Sequence, residues 1–241
     1  MGQVITEICE NGNDIKIVAG VDINPDRIEN YYKVYNDIQL VNEKADLVLD
    51  FSRAESLPNI ARYCVERNLG LVVASTGFTT ADYELLKETS KKIPLFQSAN
   101  MSLGVNLVAE ISKIAAKTLS KDFDIEIIER HHNEKVDAPS GTALMLANEI
   151  NQATPEPMTF VYNRHEEGKR KADEIGIYAI RGGTIPGEHT VIFAGKDEVI
   201  EIKHSALSRR IFAEGAIKAV KFLANKDANY YNMNDLIKSL T

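Results

Sequence analysis

Residues able to do chemistry crowd into one stretch, Glu129-Arg130-His131-His132-Asn133-Glu134-Lys135-Val136-Asp137-Ala138-Pro139-Ser140-Gly141-Thr142. A strand-patterned segment ends in two adjacent histidines, a lysine follows, and a Pro-Ser-Gly-Thr turn opens a helix. Neighbouring strand residues point to opposite sides, so His131 and His132 cannot do the same job. Backbone N–H groups at Gly141 and Thr142, with the Thr142 hydroxyl, offer a cradle for a carboxylate or phosphate. Lys135 adds a point charge, and a histidine titrating near neutrality can move a proton. Together they suit a small anionic substrate that must be protonated. Competing readings are a plain helix cap at Ser140 or Thr142 and a histidine that only closes the strand. Zinc is disfavoured, because adjacent histidines diverge, lack the i, i+4 spacing of a helical pair, and have no evident third ligand.

A second set of polar and small residues sits where short apolar strands end: Asp22, Asp50-Phe51-Ser52, Ser75-Thr76-Gly77 and Ser98-Ala99-Asn100-Met101. Ligands of open α/β sheets bind outside the carboxyl ends of strands, and small residues there let backbone approach them. Asp22 follows Gly2 by 20 residues, the spacing at which an acid meets the ribose of a dinucleotide. The plainer reading of Asp22 is a turn before Pro25. The stretch Arg181-Gly182-Gly183-Thr184-Ile185-Pro186-Gly187-Glu188-His189 lacks a Walker lysine and lies between two strands, so it reads as a long hairpin-type connection. Arg209 and Arg210, before the last long helix, read by default as a solvated pair.

Hydrophobic periodicity supplies the elements that position these groups. Helices are predicted at 4–10, 56–68 and 80–91, and strands at 15–21, 45–51, 71–75 and 93–97, an alternation that means a parallel sheet covered on both faces. The pattern then changes. A long helix at 105–120 precedes an alternating strand at 123–130 with Phe123, Ile125 and Ile127 on one side. A helix near 142–151, strands at 158–163, 175–181, 189–194 and 199–204, and helices at 211–224 and 234–240 complete the chain. The second half is therefore α+β with an antiparallel or mixed sheet.

Composition narrows the function. The 241 residues carry 28 Lys+Arg against 35 Asp+Glu, a net charge of −7, which argues against a sequence-independent nucleic-acid binder. A hydrophobic fraction of 44% is enough for a real core, yet no apolar run approaches a membrane span. Two distant cysteines, Cys9 and Cys64, exclude a disulfide scaffold and suggest a reducing cytoplasm. The opening Met1-Gly2-Gln3-Val4-Ile5-Thr6 formally fits N-myristoylation, but an amphipathic helix follows and no polybasic patch supplies a second anchor.

His131-His132-x-x-Lys135 followed by Ala138-Pro139-Ser140-Gly141-Thr142-Ala143 resembles the signature of the 4-hydroxy-tetrahydrodipicolinate (dihydrodipicolinate) reductase family. Asp50-Phe51-Ser52, Ser75-Thr76-Gly77-Phe78, Ser98 through Asn106, and Gly187-Glu188-His189-Thr190 resemble its other blocks, in order, across nearly the whole chain. The resemblance implies a Rossmann-like nucleotide domain at 1–102 and 210–241, and a substrate-binding and oligomerisation domain at 103–209. It also implies reduction of a cyclic dicarboxylate by NADH or NADPH with loss of water, in lysine and diaminopimelate biosynthesis, by a cytoplasmic homotetramer. By matching position, His131 would be the proton donor and acceptor and Lys135 a second donor. His132, Gly141, Thr142 and Arg209 would hold the substrate. Met1, Gly2, Phe51, Ala74, Ser75, Thr76, Ser98, Ala99, Asn100 and Met101 would meet the cofactor, and Asp22 its adenosine ribose. Ile23 after Asp22 leaves no basic partner for a 2′-phosphate unless Arg27 reaches it, which leans toward NADH.

One departure stands out. The family opens with a strand and a Gly-x-x-Gly-x-Met-Gly loop, whereas this sequence begins at that Met-Gly. Without a central first strand, segments 16–21 and 47–50 are expected to lack a partner between them, and most of the pyrophosphate turn is missing. The expectation is either a start further upstream or a truncated copy with poor cofactor affinity. The alternative function is then a non-catalytic assembly or regulatory homologue. A semialdehyde dehydrogenase is disfavoured because no cysteine stands at a nucleophile position; Cys64 is on the apolar face of a helix.

Overall fold

The computed structural model describes residues 1–240 apart from Asn13, Ile28, Glu29, Glu166, Glu167 and the side chain of Arg27. Arg27, the alternative partner for a 2′-phosphate, thus lies outside the described side chains. In chain order the elements are α1 (Gly2–Glu10), β1 (Ala19–Val21), β2 (Lys33–Tyr35), β3 (Leu47–Asp50), α2 (Leu57–Arg67), β4 (Gly70–Val73), α3 (Thr80–Ser90) and β5 (Pro94–Gln97). Then follow α4 (Leu103–Leu119), β6 (Asp124–His131), α5 (Gly141–Ala153), β7 (Thr159–Tyr162), β8 (Glu174–Arg181), β9 (Glu188–Ala194) and β10 (Val199–Ser205). The chain closes with α6 (Arg210–Leu223), β11 (Asn229–Tyr231) and α7 (Met233–Lys238). These elements form two units, Met1–Ser102 with Arg210–Thr241, and Leu103–Arg209.

The first unit is Rossmann-like α/β, with every strand pair parallel. Its strands form two sheets, β1-β2 and β11-β5-β4-β3, and among the described residues no strand joins β1 to β3. Both sheets contribute to one core, where Leu57 and Cys64 of α2, Leu71 and Val73 of β4, Leu86 of α3 and Leu95 of β5 meet Ala19, Tyr35 and Val48. All of β4 is buried, as a parallel strand covered on both faces must be. The register aligns Asp50 with Val73 and Val73 with Gln97, so the segments beginning at Phe51, Ala74 and Ser98 leave the sheet at one edge. The strand expected over 15–21 is ladder-bonded only at Ala19–Val21, because its partner β2 is itself three residues long. Strands as short as β2 and β11 hold too few residues for a period-2 signal. In α6, a Cβ on Gly215 would stand 1.7 Å from the Met101 carbonyl oxygen, so this contact requires glycine.

The second unit is α+β with a mixed sheet in the order β10-β9-β6-β8-β7. β10, β9 and β6 run antiparallel, whereas β6, β8 and β7 are parallel. One face carries Ile125, Ile127, Ile175, Ile177, Val191 and Phe193 against Val108 and Ala116 of α4 and Leu146, Ala147 and Ile150 of α5. Each large aliphatic side chain fully buried there contributes about 1.5–3 kcal/mol. Parallel pairing of β7 with β8 demands a crossover rather than a tight turn. Arg170 holds that crossover on the sheet through Glu126, Asp124 and the Glu174 carbonyl. The hairpin-type reading of 181–189 is corrected, because β6 lies between β8 and β9. The connection therefore arches past the end of β6, where Gly182 N–H donates to the His131 carbonyl and Asn133 N–H to that of Gly183.

Candidate active site

Side-chain parity on β6 builds the site. Ile125 and Ile127 enter the core, and the same face continues to Glu129 and His131, both buried. A carboxylate without solvent must be fully partnered. Glu129 meets that need with four bonds. Arg181 donates to both its oxygens at 2.7 Å, the Ser140 N–H to Oε1 at 2.9 Å, and His131 Nδ1 lies 2.6 Å from Oε2. Burial alone would push the Glu129 carboxyl up, but the Arg181, His131 and Ser140 bonds outweigh it and hold the group below the usual carboxylate range. With Nδ1 committed to Glu129, His131 turns Nε2 toward Gly187, where a Cβ would come within 3.0 Å.

The N-terminus of α5 adjoins this carboxylate. Ser140 is its N-cap, accepting the Ala143 N–H, and its hydroxyl shares a 2.9 Å hydrogen bond with His189 Nε2. His189 is pushed down to about 4, first by burial and then by His131, whose ring lies 5.2 Å away edge-on. It is therefore neutral near pH 7. Gly141 is exposed with open space where a Cβ would project, and Thr142 and His132 are half-buried. Ser140 is thus the cap, and Gly141 and Thr142 begin the first turn of α5. Lys135 donates to Asp137 at 2.7 Å and holds that carboxyl below its ordinary range. The Lys135 and Asp137 carbonyls both accept from Arg181, so the lysine loop hangs from the arginine that grips Glu129. Arg209 is exposed in the turn after β10, while Arg210 pairs with Glu7 and Glu214.

The first unit gathers the other predicted residues differently. Asp22 Oδ1 accepts the Asn24 N–H at 2.8 Å in a turn ahead of Pro25. Ser75 is buried and donates to Asp50 Oδ2, while Asp50 Oδ1 accepts the Ser52 N–H. The Ser98 hydroxyl donates to the Asn100 carbonyl, Asn100 Oδ1 accepts the Ser102 N–H, and Met101 is buried. The strand-end edge therefore offers backbone and small groups: half-buried Phe51 and Ala74, exposed Thr76 and Ala99, and Gly77 at φ +84°. Met1 and Gly2 are exposed at the start of α1, which has no side-chain cap. The small side chains at this edge and the uncapped N-terminus of α1 fit a nucleotide and its phosphates. Glu129 and Arg181 went unassigned in the sequence, although extending the period-2 pattern from Ile125 and Ile127 reaches Glu129. Arg181 carries no local signal, because Glu129 and the Lys135 and Asp137 carbonyls lie more than 40 positions away.

The chain thus pairs a Rossmann-like unit with an α+β unit that carries a buried, carboxylate-held imidazole. Residues 1–101 match the family described as dihydrodipicolinate reductase, N-terminus, and residues 104–237 match dihydrodipicolinate reductase, C-terminus. The 4-hydroxy-tetrahydrodipicolinate reductase of Clostridium tetani is 49% identical over 239 residues, 99% of this chain and 93% of that protein. That of Caldanaerobacter subterraneus subsp. tengcongensis is also 49% identical, over 99% of this chain and 94% of its own. The dipicolinate-bound dihydrodipicolinate reductase of Paenisporosarcina sp. TG-14 shares the fold at a TM-score of 0.79 and 23% identity, covering 97% of this chain and 94% of that one. This chain belongs to the dihydrodipicolinate reductase family. Full-length relatives named as the enzyme speak for the reductase reading and give no support to the non-catalytic alternative.

Proposed function

We propose that this chain reduces 4-hydroxy-tetrahydrodipicolinate to tetrahydrodipicolinate in lysine and diaminopimelate biosynthesis. One hydride and one proton are consumed and one water leaves. The observation that carries the reading is the single Glu129 carboxylate bonded to His131, to the start of α5 and, through Arg181, to the Lys135 loop. Three groups expected to act together thus share one anchor. Gly141 and Thr142 grip a substrate carboxylate with helix N-terminal N–H groups, assisted by His132 and Arg209. His131 Nε2 handles the proton, and Lys135, exchanging Asp137 for the substrate, serves as the second donor.

A reduced nicotinamide supplies the hydride when bound. Met1, Gly2, Phe51, the 74–76 and 98–101 strand ends and Asp22 would hold the dinucleotide. NADH is favoured over NADPH, since a 2′-phosphate would face the Asp22 carboxylate with exposed Ile23 beside it. Two buried free thiols suit a cytoplasmic enzyme. The sheet face of the second unit not covered by α4 and α5 supports assembly into a homotetramer. Ile128, Tyr178, Ile180, Ile192 and Val199 are half-buried or exposed there.

The test is a spectrophotometric assay of the purified chain with 4-hydroxy-tetrahydrodipicolinate and each nucleotide. The expected outcome is substrate-dependent oxidation of the nicotinamide, competitively inhibited by dipicolinate, with the higher kcat/KM for NADH. No oxidation with either nucleotide at saturation would remove the reading. A higher kcat/KM with NADPH would reverse only the preference.

A further inference from the structure

We propose that Glu129 and Arg181 are a positioning pair: Glu129 fixes the His131 tautomer, and Arg181 ties the Lys135 loop to the same carboxylate. The proposal rests on the reading of His131 and Lys135 as the proton-handling groups.

An ionised carboxylate only accepts hydrogen bonds. His131 Nδ1, 2.6 Å from Glu129 Oε2, must therefore carry a proton, and Nε2 is left as the nitrogen that gains and loses one. Free imidazole has no such constraint. Glu129 has no slack for another arrangement, since Arg181 and Ser140 occupy the rest of its acceptor capacity. A glutamine amide would present N–H groups to at least one of these donors. On the other side of the ring, Gly187 lies against Nε2 without a side chain, so no Cβ crowds that nitrogen while Nδ1 is locked.

Arg181 extends the control to the lysine. Its Nη atoms form a two-pronged grip on Glu129, while Nε and Nη2 donate to the Lys135 and Asp137 carbonyls. A lysine in its place could reach one oxygen but could not bridge all four acceptors. The planar guanidinium thus sets the distance between the imidazole and the ammonium. Neither residue of the pair is placed to touch substrate; both act through His131 and Lys135.

The experiment compares wild type, His131→Ala, Glu129→Gln, Glu129→Asp and Arg181→Lys by steady-state kinetics and by 15N NMR of the histidine rings. At a pH where His131 is neutral, wild type should show the Nδ1–H tautomer, and Glu129→Gln should shift it toward Nε2–H. Glu129→Gln should lower kcat by roughly tenfold or more, short of the ~10²–10⁴-fold loss expected for His131→Ala, with KM within about threefold. Arg181→Lys should keep the Nδ1–H tautomer and still lower kcat. Glu129→Asp keeps Arg181 paired while withdrawing the carboxylate by one carbon. If Glu129→Gln does not fold, Glu129→Asp carries the test, with a mixed tautomer and a several-fold loss of kcat expected. Wild-type kcat and an unchanged tautomer in either Glu129 variant, beside an impaired His131→Ala, would overturn the positioning role. An inactive wild type, or a His131→Ala enzyme as fast as wild type, would instead overturn the reading beneath it.

Discussion

At the scale of single residues, the site works by denying its polar groups any alternative partner. His189 shows the energetic consequence. Its folded pKa of about 4 lies below the ordinary 6.5, so it binds no proton in the native state where the unfolded chain already does. The sign follows from linkage. Full stability is present above about pH 6.5, falls as pH drops through the window between the two values, and has lost about 3 kcal/mol below the lower one. Glu129, held below its usual range, withdraws its own contribution at lower pH, once it is protonated. Urea unfolding at about pH 7.5 and about pH 4.5 should show most of the His189 loss in wild type and little of it in His189→Gln. Equal pH dependence in the two proteins would contradict the buried neutral histidine. Little of this was visible beforehand. The Glu-x-His-His run was legible as chemistry, but which histidine is buried and what holds it depend on Arg181 and His189, supplied by other strands.

At the scale of elements, the sequence located the helices and the longer strands because their apolar periodicities are complete. It misjudged connectivity where two strands adjacent in sequence are not adjacent in the sheet. The segment after Arg181 has the glycines of a hairpin, yet β6 intervenes and the loop packs against the end of β6 beside His131. Gly183 at φ +49° and Gly187 at φ +155° are the backbone conformations that let it pass so close. Gly187→Ala would place a Cβ 3.0 Å from His131 Nε2 and 3.3 Å from Cδ2. The ring, bonded to Glu129 on its far side, has little room to yield. The substitution should lower kcat by roughly tenfold or more through misplacement of the imidazole, measured in the same NADH assay. An unchanged kcat would show that the loop is not part of the site. The parallel β7–β8 pair was hidden for a different reason. Its crossover is held by ion pairs from Arg170 across 44 and 46 positions, which no local pattern records.

At the scale of the whole molecule, both fold classes were legible from the switch between alternating βα units and a run of strands. The division into an α/β and an α+β unit needs only those patterns, whereas the strand order inside each sheet depends on long-range pairing. The open sheet face of the second unit gives a prediction of its own. Sedimentation equilibrium should find a tetramer, and Ile128→Lys together with Ile192→Lys should reduce it to smaller species, because like charges would stand on adjoining strands. A wild-type monomer at micromolar concentration would contradict that use of the face. Beneath all of these lies the proposed division of labour between an imidazole that moves a proton and a helix mouth that holds an anion. Steady-state kinetics of His131→Ala and Thr142→Ala tests it most directly. The account predicts that the first variant loses kcat by about 10²–10⁴-fold with little change in KM, while the second raises KM with kcat largely retained. Equal losses in both parameters for both variants would contradict it.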